Sequence, residues 1–384
     1  MPTRSFLMTA ENYMGAGCLA DAMSVIQSRG FKHALIVTDA PLTALGVTDK
    51  VAALLREREL AVSVFDGVKP NPTVSNVEAG LAVLKEAGAD CIISLGGGSP
   101  HDCAKVIAVL ATNGGAVMDY RGANKVKKAP LALIAINTTA GTASEITRFA
   151  VITEETKHLK MNIVDRQLAP LISVNDPELM RGMPASLTAA TGMDALTHAV
   201  EAYVSILATP VTDACALHAI KLIGQYLPRA VSNGKEDIEA RENMTAAQFL
   251  AGMAFNNAFL GYVHAMAHQL GGQYNLPHGV CNALLLPHVE AVNVSACAPR
   301  MADIARALGV DTTGLSTEAA AQAGVKAMAD LARAVGIPAK LSDLGVKRED
   351  FAMMAVNAMK DGSGSTNPRK LSQAEIEGIF EAAF

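Results

Sequence analysis

Two patterns of apolar positions divide the chain. Between residues 30 and 180, short apolar runs alternate with amphipathic stretches, which is typical of βαβ units and of a parallel sheet with helices on its faces. The apolar runs predict strands at residues 34–39, 62–67, 91–98, 131–139 and 171–176. After residue 183 the strand pattern stops, and the sequence predicts helices at 186–205, 210–228, 237–270 and 279–293, with several more before the C-terminus.

This change of pattern predicts two domains. A length of 384 residues also favours two, at roughly 150 residues per domain. We expect residues 1–183 to form an α/β domain with a parallel sheet. We expect residues 184–384 to form an all-α bundle, because this segment is rich in alanine, weakly charged and broken by Gly and Pro.

Composition narrows the environment in which the protein works. Half of the residues are hydrophobic and 18% are charged, which is the range of folded globular proteins. The formal net charge of −5 provides no field that would draw the chain to nucleic acid or to an anionic membrane. The first residues lack the apolar core of a secretory signal, and no run reaches the roughly 18 apolar residues that a membrane span needs. We therefore expect a cytoplasmic protein with neither a nucleic-acid partner nor a membrane partner.

The cysteines indicate which kinds of metal ligand are available. They are widely spaced and form no C-x-x-C pair: Cys18, Cys91, Cys103, Cys215, Cys281 and Cys297. This spacing favours buried, reduced thiols over a disulfide framework or a thiolate cluster. Any metal site in this chain must therefore use nitrogen and oxygen ligands.

A glycine-rich turn follows the third predicted strand. The segment Ser94-Leu95-Gly96-Gly97-Gly98-Ser99-Pro100 ends that strand and precedes a helical stretch. Glycines allow a diphosphate to approach the backbone, and the start of a helix offers free N–H groups and a positive dipole end. The turn resembles a dinucleotide-binding turn, although it is not G-x-G-x-x-G, and an ordinary tight turn is the alternative.

Two further features favour a dinucleotide. Asp39 ends the first predicted strand, at the sheet edge where α/β proteins bind ligands. A carboxylate there would accept the two ribose hydroxyls and repel a 2′-phosphate, which favours NAD over NADP; a helix N-cap is the alternative. The hydroxyl-rich segment 137–144 follows another strand. It would bind phosphate or an amide, or it is a capping loop.

The helical half contains a group of metal-ligand side chains. Asp194 and His198 are four residues apart, as are His264 and His268, so each pair shares one helix face. His278 opens the next element. A single histidine on an apolar helix is usually a core residue, but four with a carboxylate predict a site for Fe²⁺, Zn²⁺, Mn²⁺ or Co²⁺. Four ligands suffice, so the fifth residue, most naturally His268, would act beside the metal.

The longest motifs together resemble one family over nearly the whole chain. They are Val-Lys-Pro-Asn-Pro-Thr at 68–73, the glycine turn and its helix at 94–105, and the segments 137–149, 187–203, 249–288 and 366–369. In these stretches the sequence resembles the iron-containing (group III) alcohol dehydrogenases, and most of all the bacterial short-chain enzymes of the ethanol, methanol and 1,3-propanediol type. The resemblance implies the dehydroquinate synthase-like fold, with an NAD-binding α/β domain and a helical metal-binding domain.

The resemblance also implies roles for particular residues. The family's metal ligands fall on Asp194, His198, His264 and His278, which leaves His268 as a proton-relay candidate. The family's cofactor contacts fall on Asp39, Asn71, Gly97, Gly98, Ser99, Asp102, Thr138, Thr139, Thr142, Phe149, Val151, Lys160, Leu179, Gly182 and Leu187. The cofactors implied are NAD and Fe²⁺, with Zn²⁺ as an alternative ion.

The implied reaction is reversible hydride transfer between a small primary alcohol or diol and NAD, with the metal as Lewis acid. Phe149, Phe255 and Phe259 are candidates for the alcohol pocket, and plain core packing is the alternative for Phe259. The chain differs from many relatives at Ala150 and in the loop 360–365, which predicts a roomier or more polar pocket. The rival functions are a lyase of the dehydroquinate synthase type and a non-enzymatic NAD or metal sensor. We expect a homo-oligomer, either a dimer or larger.

Overall fold

Six parallel strands form the larger sheet. The computed structural model describes residues 5–157 and 159–384. The strand order is β1-β9-β6-β4-β2-β3, and all of the pairings are parallel. The strands, numbered along the chain, are β1 (Glu11–Met14), β2 (His33–Val37), β3 (Ala61–Phe65), β4 (Cys91–Gly96), β6 (Ala132–Asn137) and β9 (Ile172–Asn175). The five predicted strands are confirmed, each end within two residues of its prediction; β1 was not predicted.

Helices cover both faces of this sheet. They are α1 (Cys18–Ser28), α2 (Ala40–Ala44), α3 (Val47–Arg56), α4 (Val74–Ala87) and α5 (Gly98–Asn113). The alternation of side chains along β4 explains why nearly all of its residues are apolar; the polar one, Ser94, is buried in contact with His101. Ile92 lies in the core on one face, whereas Cys91, Ile93 and Leu95 lie in the core on the other. A strand that is buried on both faces has no side chain that faces solvent, so most of its residues are apolar.

A second, smaller sheet was not predicted. It contains β5 (Gly122–Ala123), β7 (Phe149–Glu154) and β8 (Leu159–Val164), and β7 pairs antiparallel with β8. Alternate residues of β7 and β8 are buried, among them Ile152, Met161 and Ile163, whereas both residues of β5 are exposed. Polar residues interrupt the apolar run in β8. Strand β7 begins with the short apolar run 149–152, which the sequence analysis did not assign to a strand.

The rest of the chain is helical. The helices are α6 (Ala185–Val204), α7 (Pro210–Asn233), α8 (Ile238–Ala258), α9 (Tyr262–Tyr274), α10 (His278–Ala307), α11 (Thr317–Ala334), α12 (Phe351–Lys360) and α13 (Gln373–Ala382). Helix α6 packs against α7 and α8, and Gly192 allows this close approach. A Cβ atom at this position would lie 2.2 Å from Leu227 Cδ1.

The prediction of one helix over 237–270 is wrong. Helix α8 ends at Ala258 because Phe259 adopts a left-handed backbone conformation, with φ +62°. A new helix, α9, then begins after the extended residue Gly261. Helix α10 continues beyond the predicted end at residue 293, although Cys297 interrupts its helical backbone with φ −143°.

The chain divides into two compact units. The sheet unit contains residues 7–139 and 143–181, and the helical unit contains residues 140–142 and 182–384 together with the described residues before position 7. Helix α10 is long and apolar enough to span a membrane by length and composition. However, 61% of its most apolar window is buried inside the protein, as in the core helix of a soluble protein. All six cysteines are buried free thiols, as predicted.

Candidate active site

Three helices of the helical unit bring the predicted metal ligands together. Asp194 and His198 lie one turn apart on α6, His264 is the third residue of α9, and His278 is the first residue of α10. Asp194 Oδ1 is 3.9 Å from His264 Nε2 and 3.6 Å from His278 Nε2. Ligand atoms of Asp194, His198 and His264 all lie within 4.8 Å of one another. The carboxylate of Asp194 and the imidazoles of His198 and His264 therefore converge, and the imidazole of His278 lies beside the same carboxylate oxygen.

The protonation of the histidines suits a metal ion. Burial lowers the pKa of His198 to about 4 and the pKa of His264 to about 3. Both rings are therefore neutral at pH 7, and a neutral imidazole has a lone pair to give to a metal. His198, His264 and Asp194 are buried, whereas the side chain of His278 is 28% exposed. This nitrogen and oxygen donor set fits Fe²⁺ or Zn²⁺.

Two polar side chains that the sequence analysis missed contact these ligands. Glu201 Oε2 lies 2.5 Å from His264 Nδ1. Asn282 Nδ2 donates a hydrogen bond to Asp194 Oδ1 at 2.7 Å, and it lies 3.1 Å from both His264 Nε2 and His278 Nε2. Spacing alone could have identified both residues. Glu201 is seven residues after Asp194, and Asn282 is four residues after His278, so each shares a helix face with a predicted ligand.

The fifth predicted residue, His268, lies beside the ligands. Its ring stacks on His278 with centroids 5.5 Å apart, and its Nδ1 lies 2.8 Å from Asp361 Oδ2. Burial raises the pKa of Asp361, but the charge and hydrogen bond of His268 outweigh this effect and hold the pKa below its usual value. The other oxygen of Asp361 accepts the Ser363 N–H at 2.9 Å. A carboxylate therefore orients the imidazole of His268.

The three candidate pocket phenylalanines occupy different environments. Phe255 is buried and stacks on the His198 ring, with centroids 4.2 Å apart and planes at 15°. It therefore packs directly on a candidate ligand. Phe259 is half-buried at the break after α8, and Phe149 begins β7 in the sheet unit. Their contact with an alcohol stays a prediction.

The glycine turn has the predicted strand–turn–helix geometry. It joins β4 to α5, and Gly97 is the N-cap of that helix. Gly96 has φ +148°, a conformation that favours glycine. A Cβ atom on Gly97 would lie 2.9 Å from Thr139 Oγ1. The helix therefore begins at Gly98 and Ser99 with free backbone N–H groups, which suit a diphosphate.

Asp102 is held within the sheet unit by several neighbours. Ser144 Oγ donates to its Oδ1 at 2.6 Å, and the Val151 N–H donates to its Oδ2 at 2.9 Å. The fully buried Lys105 has its Nζ 4.0 Å from the same carboxylate. Burial raises the pKa of Asp102, and these partners keep its charge compensated. Ser144 lies in the hydroxyl-rich segment 137–144 that the sequence analysis singled out. Lys105 was missed, because a lysine in an apolar helix gave no signal to find it.

Asp39 forms the helix cap that was one of its two predicted roles. Its Oδ1 accepts the Leu42 N–H at 3.0 Å at the start of α2. Burial raises the pKa of this carboxyl group. This hydrogen bond uses only one of the two carboxylate oxygens of Asp39. Binding of the NAD ribose by Asp39 therefore stays a prediction.

The remaining predicted cofactor residues fall into both units. Asn71 and Lys160, which only the family resemblance implied, are in contact. Lys160 Nζ donates a hydrogen bond to Asn71 Oδ1 at 2.6 Å. After β6, the side chain of Asn137 holds the start of the loop, since its Oδ1 accepts a hydrogen bond from the Thr139 N–H at 3.1 Å. Thr138, Phe149 and Leu179 belong to the sheet unit, and Thr142, Gly182 and Leu187 belong to the helical unit.

Comparison with known proteins gives one consistent result. Residues 9–177 match the family described as iron-containing alcohol dehydrogenase, and residues 188–384 match the C-terminal part of the Fe-containing alcohol dehydrogenase family. Alcohol dehydrogenase 4 of Schizosaccharomyces pombe is 55% identical, over 100% of this chain and 90% of that protein. NAD-dependent methanol dehydrogenase of Bacillus methanolicus is 46% identical, over 99% of each chain.

A solved structure agrees with these sequence matches. The crystal structure of a 1,3-propanediol oxidoreductase superposes with a TM-score of 0.97, at 50% identity over 100% of both chains. The family uses NAD and Fe²⁺, and its substrates are small alcohols and aldehydes. The activity of this protein is therefore that of an NAD- and metal-dependent alcohol dehydrogenase. The chain belongs to the iron-containing alcohol dehydrogenase family.

Proposed function

We propose that the catalytic ion is held by four side chains of the helical unit: Asp194, His198, His264 and His278. The observation that carries the proposal is their convergence from three helices, with Asp194 Oδ1 within 3.9 Å of two imidazole Nε2 atoms. When bound, the ion supplies a Lewis acid for the alcohol oxygen, and NAD supplies the hydride acceptor. The burial of three of these ligands excludes water from their side of the ion.

His268 is the residue that moves the substrate proton in this proposal. It lies beside the ligands, and Asp361 accepts its Nδ1–H. The bond leaves Nε2 with the lone pair, so Nε2 is the atom that takes up a proton during alcohol oxidation and returns it during aldehyde reduction. The negative charge on Asp361 stabilises the imidazolium that forms.

The residues proposed to bind NAD are the same ones that the family resemblance implied. The glycine turn and the start of α5 bind the diphosphate of NAD through Gly97, Gly98 and Ser99. The others lie around this turn or on later segments: Asp39, Asn71, Asp102, Thr138, Thr139, Thr142, Phe149, Val151, Lys160, Leu179, Gly182 and Leu187. In this proposal residues 1–183 are the NAD-binding domain, and residues 184–384 are the metal-binding catalytic domain.

Small primary alcohols and diols are the proposed substrates. The names of the relatives support this size class, since one is a methanol dehydrogenase and another a 1,3-propanediol oxidoreductase. One local feature favours extra room in the pocket, since the loop 360–365 is made of Gly and Ser after Asp361. The other predicted feature, Ala150, is fully buried in the core of the sheet unit. The further proposals are a cytoplasmic location and a homo-oligomer, dimeric or larger.

Metal reconstitution tests this proposal. The protein is stripped of metal, reloaded anaerobically with Fe²⁺ or Zn²⁺, and assayed for NADH formation with methanol, ethanol, butanol, 1,3-propanediol and glycerol. The expected result is activity that returns with one of the two ions and is highest on a small primary alcohol or diol. His264→Ala should lose both the bound ion and the activity while its circular dichroism spectrum stays that of the wild type.

The matched control is His218→Ala. His218 is an exposed histidine on α7, so its loss should change neither metal content nor turnover. A His264→Ala variant that keeps a stoichiometric ion and full activity would refute the ligand assignment.

A further inference from the structure

We infer that Glu201 is a positioning residue that fixes His264 in the tautomer and orientation needed to bind the ion. The inference rests on the proposed metal site and adds a residue that acts through one of its ligands. Glu201 lies on α6, three residues after His198 and seven after Asp194, so all three project from one face of the helix. It is 1% exposed, and a carboxylate buried so deeply must have hydrogen-bond donors around it.

One oxygen of Glu201 determines the tautomer of His264. Oε2 lies 2.5 Å from His264 Nδ1. A neutral imidazole has a single N–H, and the ionised form of Glu201 can only accept a hydrogen bond. With Glu201 ionised, the proton therefore sits on Nδ1, and Nε2 has the lone pair.

The other side of the ring gives the same answer independently. Asn282 Nδ2 lies 3.1 Å from His264 Nε2. The amide orientation is fixed by Asp194, because its Oδ1 accepts from the same Nδ2 at 2.7 Å. An amide N–H can only donate, and after the bond to Asp194 the second hydrogen of Nδ2 is left for one of two imidazole nitrogens, His264 Nε2 or His278 Nε2. When it points to His264, Nε2 accepts it. This neighbour therefore also favours an unprotonated Nε2, which is the form that binds a metal.

The second oxygen of Glu201 fixes the position of the ring. Oε1 accepts the backbone N–H of Val263 at 2.7 Å and that of His264 at 3.3 Å. These N–H groups belong to the first turn of α9, whose N-cap, Gly261, provides no side-chain cap. Glu201 thus serves as the cap of α9, and a negative charge there is favoured by the helix dipole. The same carboxylate holds both the backbone and the ring of this candidate ligand.

Glu201→Gln separates this role from simple filling of space. The amide has nearly the shape of the carboxylate, but one of its ends must be an NH₂ group. If the NH₂ faces Nδ1, His264 must move its proton to Nε2 and can no longer bind the ion. If the NH₂ faces α9, two donors oppose each other at the start of that helix. Either orientation of the amide weakens the binding of the ion by His264.

The test is a measurement of metal affinity, not of activity. Dissociation constants for Zn²⁺ and Co²⁺ are measured by competition with a chromophoric chelator, and the Co²⁺ absorption spectrum is recorded. We expect Glu201→Gln to weaken both ions about 10- to 100-fold and to alter the Co²⁺ spectrum. The matched control is Asp176→Asn, because Asp176 is also buried and accepts the backbone N–H groups of Gly17 and Leu19 at the start of α1, in the sheet unit. It should change the dissociation constants by less than about 3-fold, well short of the loss expected on removing a direct partner of a ligand.

A second measurement uses the wild-type protein and does not depend on the folding of a variant. Nitrogen NMR of the metal-free protein with ¹⁵N-labelled histidine, recorded at a pH high enough to ionise Glu201, reports which ring nitrogen of His264 is protonated. A proton on Nε2, or a folded Glu201→Gln protein with wild-type affinity and Co²⁺ spectrum, overturns the inference. A wild-type protein that binds neither ion refutes the proposed metal site itself, which is a different result.

Discussion

At the scale of single residues, Asp39 shows how one side chain can serve two purposes. Its carboxylate caps α2, and in the proposed function the same carboxylate also binds the ribose hydroxyls of NAD. Asp39→Ser separates the two, because serine caps a helix about as well as aspartate but carries no charge. We expect the variant to lose about tenfold in preference for NAD over NADP, which is about 1.4 kcal/mol. Its unfolding free energy should change by less than about 0.5 kcal/mol.

The measurements are KM for each cofactor and urea unfolding. Asp39→Ala is the comparison, since it loses the charge and also the cap, which costs about 1 kcal/mol. An unchanged NAD to NADP ratio in both variants would leave Asp39 as a cap alone.

The pair formed by His268 and Asp361 leads to a second prediction at this scale. Asp361→Asn keeps the shape of the side chain but replaces the charge that the proposal requires for the imidazolium. We expect kcat to fall by about 100-fold or more, with the metal content unchanged. Asp350→Asn is the control, because Asp350 bonds to Tyr274 and not to a histidine. A variant with wild-type kcat would show that Asp361 does not support proton transfer.

At the scale of elements, the break between α8 and α9 is what places His264. The chain passes from the left-handed Phe259 to the extended Gly261 before α9 starts. A Cβ atom on Gly261 would lie 2.8 Å from both Glu201 Oε1 and Asn367 Oδ1. The small residue thus allows Glu201 to reach the start of α9, and the sequence pattern of apolar positions gave no sign of this.

Gly261→Ala should therefore disturb both stability and the ion. The added methyl group must displace Glu201 or Asn367, and overpacking of this kind costs about 1–3 kcal/mol. We expect weaker Zn²⁺ binding as well. The matched control is Gly378→Ala in α13, where a Cβ atom meets nothing within 4 Å and alanine should stabilise the helix by about 0.5–1 kcal/mol. Chelator competition and thermal unfolding would show the contrast, and equal effects of the two substitutions would contradict this account.

At the scale of the whole molecule, the parts predicted from sequence are those that a local pattern encodes. Apolar runs marked β2, β4, β6 and β9 because these strands are buried on both faces. Spacing of four residues marked Asp194 and His198, since one helix face presents both. Strand β8 was missed because its buried residues alternate with polar ones. The end of α8 was missed because its signal is a single backbone conformation at Phe259.

The unpredicted site residues depend on contacts between distant segments. Asp361 meets His268 across 93 positions of the chain, and Asn282 meets Asp194 across 88. No local period encodes such a contact, so only the folded helices reveal it. Helix spacing does place Glu201 on the same face as Asp194 and Asn282 on the same face as His278, so that part of their position was encoded locally.

Buried ionisable groups on many elements also set the pH range in which the metal-free protein is stable. Burial lowers the pKa of His101 to about 3, and His198 and His264 shift in the same direction. Below their ordinary pKa of 6.5 the unfolded chain takes up protons that the folded protein refuses, so stability falls as the pH falls. Burial raises the pKa of Glu290 to about 8 and that of Glu201 to about 7. Between 4.5 and these values the folded protein holds extra protons, so stability falls as the pH rises.

The two sets of groups together predict a stability maximum near pH 6.5. Above it these histidines no longer contribute and the glutamates lower the stability, and below it the histidines outnumber the glutamates. Each group contributes a slope of up to about 1.4 kcal/mol per pH unit. Urea unfolding of the chelated protein between pH 5 and 8 would measure the curve. Glu290→Gln should flatten the fall between pH 6.5 and 8, and His101→Gln should reduce the loss towards pH 5, whereas His218→Gln, at an exposed position, should leave both slopes unchanged. Burial is the first cause of each pKa shift, and it acts on Glu290 by keeping the carboxyl group protonated in the folded protein. If Glu290→Gln has the same fall in stability between pH 6.5 and 8 as the wild type, Glu290 is already ionised in the folded protein and the prediction is wrong.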